Sequence, residues 1–198
     1  MKLHIFYSAV STFFAPSDLS GIGGMCHKCI HAMPLWWRGP PRYDTILVSS
    51  DQTLEGMRGL EIAHAQLFFS FTFDNVKYPC ALISWYGHMA EEPDEDMHMW
   101  ILNPRPDSFA IIHLNAIMRC VHLIPVFGYQ YIDCWLKLTP HNSLDAFHSF
   151  YVNKYADHHT HEIVFWFLCL PSLETFFYVL VMISNYYWTF LIYFNLPD

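Results

Sequence analysis

Between Leu67 and Tyr86 the chain reads LFFSFTFDNVKYPCALISWY. Two apolar runs, both rich in aromatic residues, flank the dipeptide Asp74-Asn75. Phe69, Phe71 and Phe73 recur with a period of two, the repeat of a strand and not of a helix. Asp and Asn tolerate the left-handed backbone that a two-residue hairpin turn requires. The pattern predicts a β-hairpin of Leu60–Phe73 and Val76–Tyr86, with a helical start open for the first half of the first arm. Pro79 cannot donate to a ladder, so it pushes its position toward an edge or a bulge. A hairpin of this length constrains the fold strongly, because its apolar faces must be buried against further layers.

The neighbouring segments fit a small sheet. Arg42–Ser49 reads as a strand, and Ser50–Gly59 as a polar loop. Met99–Leu102 and Phe109–Leu114 are short strand candidates separated by a Pro-rich turn at Asn103–Asp107. Ala116–Val126 is apolar and ends at a Pro-containing turn. Ser143–His159 is the best helix in the sequence: Ser143 can cap it, Asp145 lies in the first turn, and Leu144, Phe147, Tyr151 and Tyr155 fall near one face. Residues 1–38 show no steady period and contain a Ser/Gly-rich turn at Ser17–Gly24. The expected fold class is α+β, a small curved β-sheet or partly open barrel with a packed C-terminal helix, followed by an apolar helical tail. The expected division is an irregular N-terminal segment (1–38), an α+β module (39–165) and the tail (166–198). Thr175–Pro197 contains no charged residue. It is long enough to cross a bilayer, although its Tyr and Trp content and Asn185 make it a poor span.

Charge bears on partners. The chain has 10 Lys and Arg against 18 Asp and Glu, a net charge of -8. A nucleic-acid binder draws much of its affinity from phosphate neutralisation by a basic face, so this balance argues against free DNA binding. No cleavable signal pattern stands out in Met1–Phe14, so the six cysteines are expected as thiols and not as disulfides.

Two constellations could carry chemistry. CHKCIH places Cys26, Cys29 and His31 within six residues, half of a tetrahedral zinc site. The other half would have to come from His158, His159 and His161 in ADHHTHE, far away in sequence. Incidental Cys and His in a loop is the favoured reading of the first. A His-rich helix end interacting with the macrodipole is the favoured reading of the second. ADHHTHE is not the HExxH zinc-protease pattern. The acidic run Glu91–Asp96 lacks EF-hand spacing, and GIGG (Gly21–Gly24) is neither a phosphate loop nor a dinucleotide fingerprint. No GxSxG elbow occurs. The sequence therefore names no catalytic residue, no cofactor site and no metal ligand beyond those weighed above.

Seven blocks in order carry a resemblance: SDLSGIGGM (17–25), WRGPPRYDTILV (37–48), EGMRGLEIAHAQLFFSF (55–71), YPCALISWY (78–86), EEPDEDMHMWIL (91–102), AIIHLNAIMRCVHLIPVFG (110–128) and SLDAFHSFYVNKYADHHTHEI (143–163). Together they resemble the C-terminal region of fungal transposon-encoded proteins of the Plavaka type. The resemblance implies an origin in a cut-and-paste DNA element, a nuclear setting, and DNA or a transposase complex as the ancestral partner. Strand transfer in such proteins depends on metal-binding carboxylates upstream of this region, so no catalytic residue carries over. Val164–Asp198 has no counterpart, which marks it as a non-homologous extension. Cys26, His27, His31, His64 and His148 stand where the family pattern leads us to expect Arg. Met33, Leu35 and Met97 stand where Thr or Ser is expected. Cytosine deamination in a silenced element would produce these exchanges. The expected function is thus a non-catalytic remnant of a transposase-like protein. The alternatives are a single-pass membrane protein anchored only through Thr175–Pro197, and a small zinc- or DNA-binding accessory module.

Overall fold

The structure is a computed structural model and describes residues 2–15, 18, 21–51, 53–54, 56–128, 135, 137–139 and 142–165. The elements in chain order are β1 (Leu3–Phe6), β2 (Ser8–Phe14), β3 (Met25–Met33), β4 (Arg42–Tyr43), β5 (Thr45–Ser49), β6 (Leu60–Phe73), β7 (Val76–His88), β8 (Ile101–His113), β9 (Ile117–Cys120), β10 (Leu123–Pro125), α1 (Ser143–Ala146), β11 (Phe150–Val152) and α2 (His158–Phe165). The described residues are mostly strand. An eight-stranded antiparallel sheet runs β10-β11-β8-β7-β6-β5-β9, with β1 paired to β6 as the eighth strand, and curls into a half-barrel; a three-stranded sheet β2-β3-β4 packs on it. The apolar tail expected at 166–198 lies outside the described residues. Among those described, no helix is long and apolar enough to cross a membrane.

The hairpin that dominates the sequence is the backbone of the sheet. Phe73 pairs with Val76, so Asp74-Asn75 alone make the turn. Both adopt positive φ, 47° at Asp74 and 61° at Asn75, as a type I′ turn demands. Asn75→Ala should lower stability by about 1 kcal/mol, because a Cβ without a locally bonding side chain is disfavoured in the left-handed region. The check is a downward shift of the urea midpoint at unchanged slope. Leu60–Phe73 is one continuous strand and has no helical start. Its length lets two strands share one edge: β5 pairs with residues 60–64 and β1 with residues 68–71. Bulges near Gln66 and Trp85 bend the hairpin, and bulged strands twist and curl a sheet. Pro79 sits one residue beyond the last β7–β8 pair, Cys80 with His113, where β7 no longer has β8 as a neighbour.

Several expectations give way. Residues 1–38 are not irregular: they hold β1, β2 and β3, and β2 pairs with β3 from Ser8–His31 to Phe14–Met25. The two short strands expected at 99–114 are one strand, β8, and the Pro-rich stretch between them is taken up where the register shifts from Ser84–Phe109 to Tyr86–Pro104. The long helix expected over 143–159 is absent. Only Ser143–Ala146 makes a helical turn, Phe150–Val152 is a strand, and a separate helix begins at His158. The reason is local. Phe150 and Val152 are fully buried with a period of two, and β11 inserts between β10 and β8. Backbone pairing on both edges, together with burial of an aromatic and a β-branched residue, outweighs a helical spacing of Leu144, Phe147, Tyr151 and Tyr155.

Side chains alternate between two cores on opposite faces of the large sheet. Ile46, Ala63, Phe68 and Ile83 face the small sheet and meet Phe6 and Ile30. Leu47, Ile62, Tyr86 and Leu102 face the other way and meet Phe150 and Val164. On β5 the switch occurs between consecutive residues, Ile46 and Leu47, as strand geometry dictates.

Candidate functional site

The most developed polar constellation lies where β9 meets α2. Arg119 is 3 % exposed. Its Nε donates to the Cys120 carbonyl (3.1 Å), one terminal nitrogen donates to His159 Nδ1 (2.8 Å), and the other donates to Asp157 Oδ2. The guanidinium also lies over the Phe13 ring, 4.7 Å from its centroid. Phe13 in turn stacks on His159, with centroids 4.9 Å apart and planes 8° from parallel. Asp157 immediately precedes α2, and its Oδ1 accepts from the Thr160 amide (2.8 Å) and hydroxyl (2.9 Å). That is the bonding pattern of a helix N-cap.

Protonation states follow from these contacts. Arg119 can only donate, so His159 Nδ1 accepts and the ring proton resides on Nε2. Burial, and then the Arg119 charge, hold the His159 pKa below its ordinary value. For Asp157, burial alone would raise the carboxyl, but the hydrogen bonds from Arg119 and Thr160 overcome it and bring the pKa down to about 2. Cys120, beside Arg119, is pushed up chiefly by burial and stays a thiol.

A second cluster forms around Asp44. Its Oδ2 accepts from the His31 amide and meets His31 Nδ1, both at 2.9 Å, and its Oδ1 accepts from Arg42 Nε at 3.0 Å. Trp36 closes this cluster, edge-on to His31 at 4.5 Å and 4.6 Å beneath the Arg42 guanidinium. A cleft of about 360 Å³ runs between the two clusters, lined among others by Cys29, Arg42, Asp44, Arg119, Cys120 and Asp157. Its charged groups are engaged in pairs within the protein. The arrangement therefore suits holding the C-terminal segment onto the sheet better than activating a nucleophile, for which a base must be directed at an exposed reacting group.

A larger cavity, about 630 Å³, lies across the molecule and is lined by Met57, Arg58, Glu61, His88, Glu92 and Trp100 among others. His88 Nδ1 is buried and has no hydrogen-bond partner there. Its ring meets Trp100 edge-on at 5.0 Å, and burial keeps its pKa low. The sequence had singled out neither residue.

The residues weighed for zinc are placed as follows. Cys26 and Cys29 both lie on β3. Positions three apart on a strand point to opposite faces, so the CxxC does not form a chelating pair. Cys26 is buried inward, while Cys29 is exposed, its Sγ 3.5 Å from Nε2 of the partly buried His31. His158, His159 and His161 share α2 but not a direction: His158 faces Glu162 (3.4 Å), His159 meets Arg119, and His161 lies 5.9 Å from the Tyr155 ring. Phe13, which packs with Cys26, stacks on His159, so the two halves of the weighed site meet through an aromatic ring. Among the described residues, no group of three or more His, Cys, Asp or Glu is placed to hold a metal. The purified chain and its Cys26→Ser/Cys29→Ser variant should therefore contain the same amount of zinc by elemental analysis. Zinc present in the parent and lost in the variant would refute this.

Arg119, the centre of the β9–α2 constellation, was not legible as such. It stands 38 residues from Asp157 along the chain, and no local pattern marks a long-range ion pair. No protein-family model matches the chain, and no curated protein and no solved structure shows significant similarity to it.

Proposed function

We propose that this chain is a non-catalytic C-terminal portion of a transposon-encoded, transposase-like protein, acting as a folded β-scaffold and not as a carrier of strand-transfer chemistry. The observation that carries the reading is the ordered resemblance of seven sequence blocks over residues 17–163. In support, those blocks contribute residues to every strand of the large sheet except β1. The polar clusters around Arg119 and Asp44 are engaged in holding strands and helix together. Strand transfer instead needs carboxylates free to hold divalent ions about 3.5–4 Å apart.

Two measurements test the reading. Sequencing of the locus should find an upstream nuclease-like reading frame and flanking terminal inverted repeats; the absence of both defeats the assignment of origin. Incubation of the purified chain with duplex DNA and Mg²⁺ or Mn²⁺ should give no cleavage above the buffer background. Metal-dependent cleavage that co-purifies with the chain and is lost on a single carboxylate substitution would overturn the non-catalytic part.

A further inference from the structure

The sheet face that carries the second core has two halves, and the described residues pack over only one of them. In the covered half, Ile62, Tyr86 and Leu102 form one buried cluster with their sheet neighbour Phe150 and with Val164 of α2. A polar seam follows, in which the Gln66 amide reaches His64 and Ser84, each at 3.2 Å. Beyond the seam the same face continues along β6, β7, β8 and β1. The register fixes which residues share it: Leu67 opposes Leu82, Phe71 opposes Tyr78, Leu82 opposes Ile111, and Leu3 opposes Phe71.

This second half is apolar and, around the buried pair Phe69 and Cys80 at its centre, open to solvent. Leu3, Ile5, Phe73, Val76, Phe109 and Ile111 are all about half exposed or more, reaching 61 % at Phe109 and 64 % at Ile111. Phe71 and Tyr78 stack on it at 5.3 Å. Among the described residues, His113, the Cys80 thiol and the Tyr78 phenol are the titratable side chains that the register brings to this half, and Lys77 points to the other face, toward the Phe6 ring. Contiguous apolar patches of this kind mark a surface that something covers.

We propose that the occupant is the apolar continuation of this same chain, residues 166–198, laid over the bare half. The proposal goes beyond the functional reading above and does not depend on it. Two observations select this occupant. The first is continuity: α2 already packs on the other half of the same face through Val164, and residues 166–198 follow Phe165 directly in sequence. The second is composition: Thr175–Pro197 has no charged residue and is dense in Phe, Tyr, Trp, Leu and Ile, so it matches the bare half in what it must remove from water. Reach is no obstacle. Strands rise about 3.3 Å per residue, which puts the distance from Ile62 to Phe73 at about 36 Å. Thr175–Pro197 would span a similar ~35 Å even if wound as a helix.

The test uses the full chain with a photo-reactive benzoylphenylalanine placed singly at Phe109, at Ile111 or at Trp37. Trp37 is 85 % exposed and lies outside this face. After irradiation, mass spectrometry of monomeric product should show cross-links from positions 109 and 111 into residues 166–198, with none from position 37. Cross-linked dimers would assign the face to a second copy and overturn the proposal. Adducts with added phospholipid vesicles in place of intramolecular links would assign it to a membrane and also overturn it. Equal tail cross-linking from position 37, or no cross-link at all from 109 and 111, overturns it as well.

Discussion

Phe68→Ala should lower the unfolding free energy by about 3–5 kcal/mol, the usual range for a deleted buried phenylalanine. Phe68 is fully buried at the centre of the core between the two sheets. It opposes Phe6 on one side and Ala81 on the other. Ala63, Ala65 and Ala81, also in this core, are too short to swing into the vacated space, so the cavity should persist and the cost should lie at the upper end. Against a total of roughly 5–15 kcal/mol for a domain, the loss removes a large part of the margin. Urea unfolding should show a much lower midpoint at nearly unchanged slope, since the area exposed on unfolding hardly alters. Leu35→Ala, at a position 66 % exposed, should stay within about 0.5 kcal/mol of the parent. If the two variants unfold alike, Phe68 does not occupy the core position described.

The part of this fold that sequence discloses is the part governed by local rules. Phe69, Phe71 and Phe73 alternate, and Asp74-Asn75 accept positive φ, so the hairpin could be read with its turn. The same rule applied to β3 would have placed Cys26, Ile30 and Ala32 inward and His27, Cys29 and His31 outward. Cysteine, histidine and alanine carry too little contrast in hydrophobicity to announce that alternation, and the CxxC drew attention to metal chemistry instead. Around Phe150 two periods coexist. Leu144, Phe147, Tyr151 and Tyr155 suggest a helix, yet Phe150, Val152 and Lys154 are the buried set, with Lys154 Nζ donating to the carbonyls of Met97 (3.0 Å) and His98 (3.3 Å). Which period prevails is set by whether a neighbouring edge is available, and that is tertiary information. The cluster in ADHHTHE was visible as dense imidazole and carboxylate. Its role depends on Arg119, whose position relative to α2 exists only once the sheet has formed.

Asp157→Ala tests that dependence. Two losses should combine. Arg119, 3 % exposed, would keep its charge but lose its anionic partner, and breaking a buried pair from one side costs about 3–5 kcal/mol. Thr160 would lose the acceptor for both its amide and its hydroxyl, worth about 1 kcal/mol at a helix N-cap. Arg119→Met should cost less, because the Asp157 side chain is 24 % exposed and can regain water. The double variant should be less unstable than the sum of the singles, since neither charge then remains alone. The pH dependence separates this account from simple loss of packing. Asp157 titrates at about 2 in the folded chain against 3.8 ordinarily, so its stabilisation is present above about pH 4 and is lost as pH falls toward 2. His159 has the same sign at higher pH: its folded pKa lies below its ordinary 6.5, so its share is present above that value and declines as pH falls. Protonation there would also turn its Nδ1 from acceptor to donor against Arg119. In the Asp157→Ala variant the fall in stability between about pH 4 and pH 2 should be shallower than in the parent. Equal slopes would mean that Asp157 is not held ionised by Arg119, and the β9–α2 lock would have to be assigned to packing of Phe13 and Val164 alone.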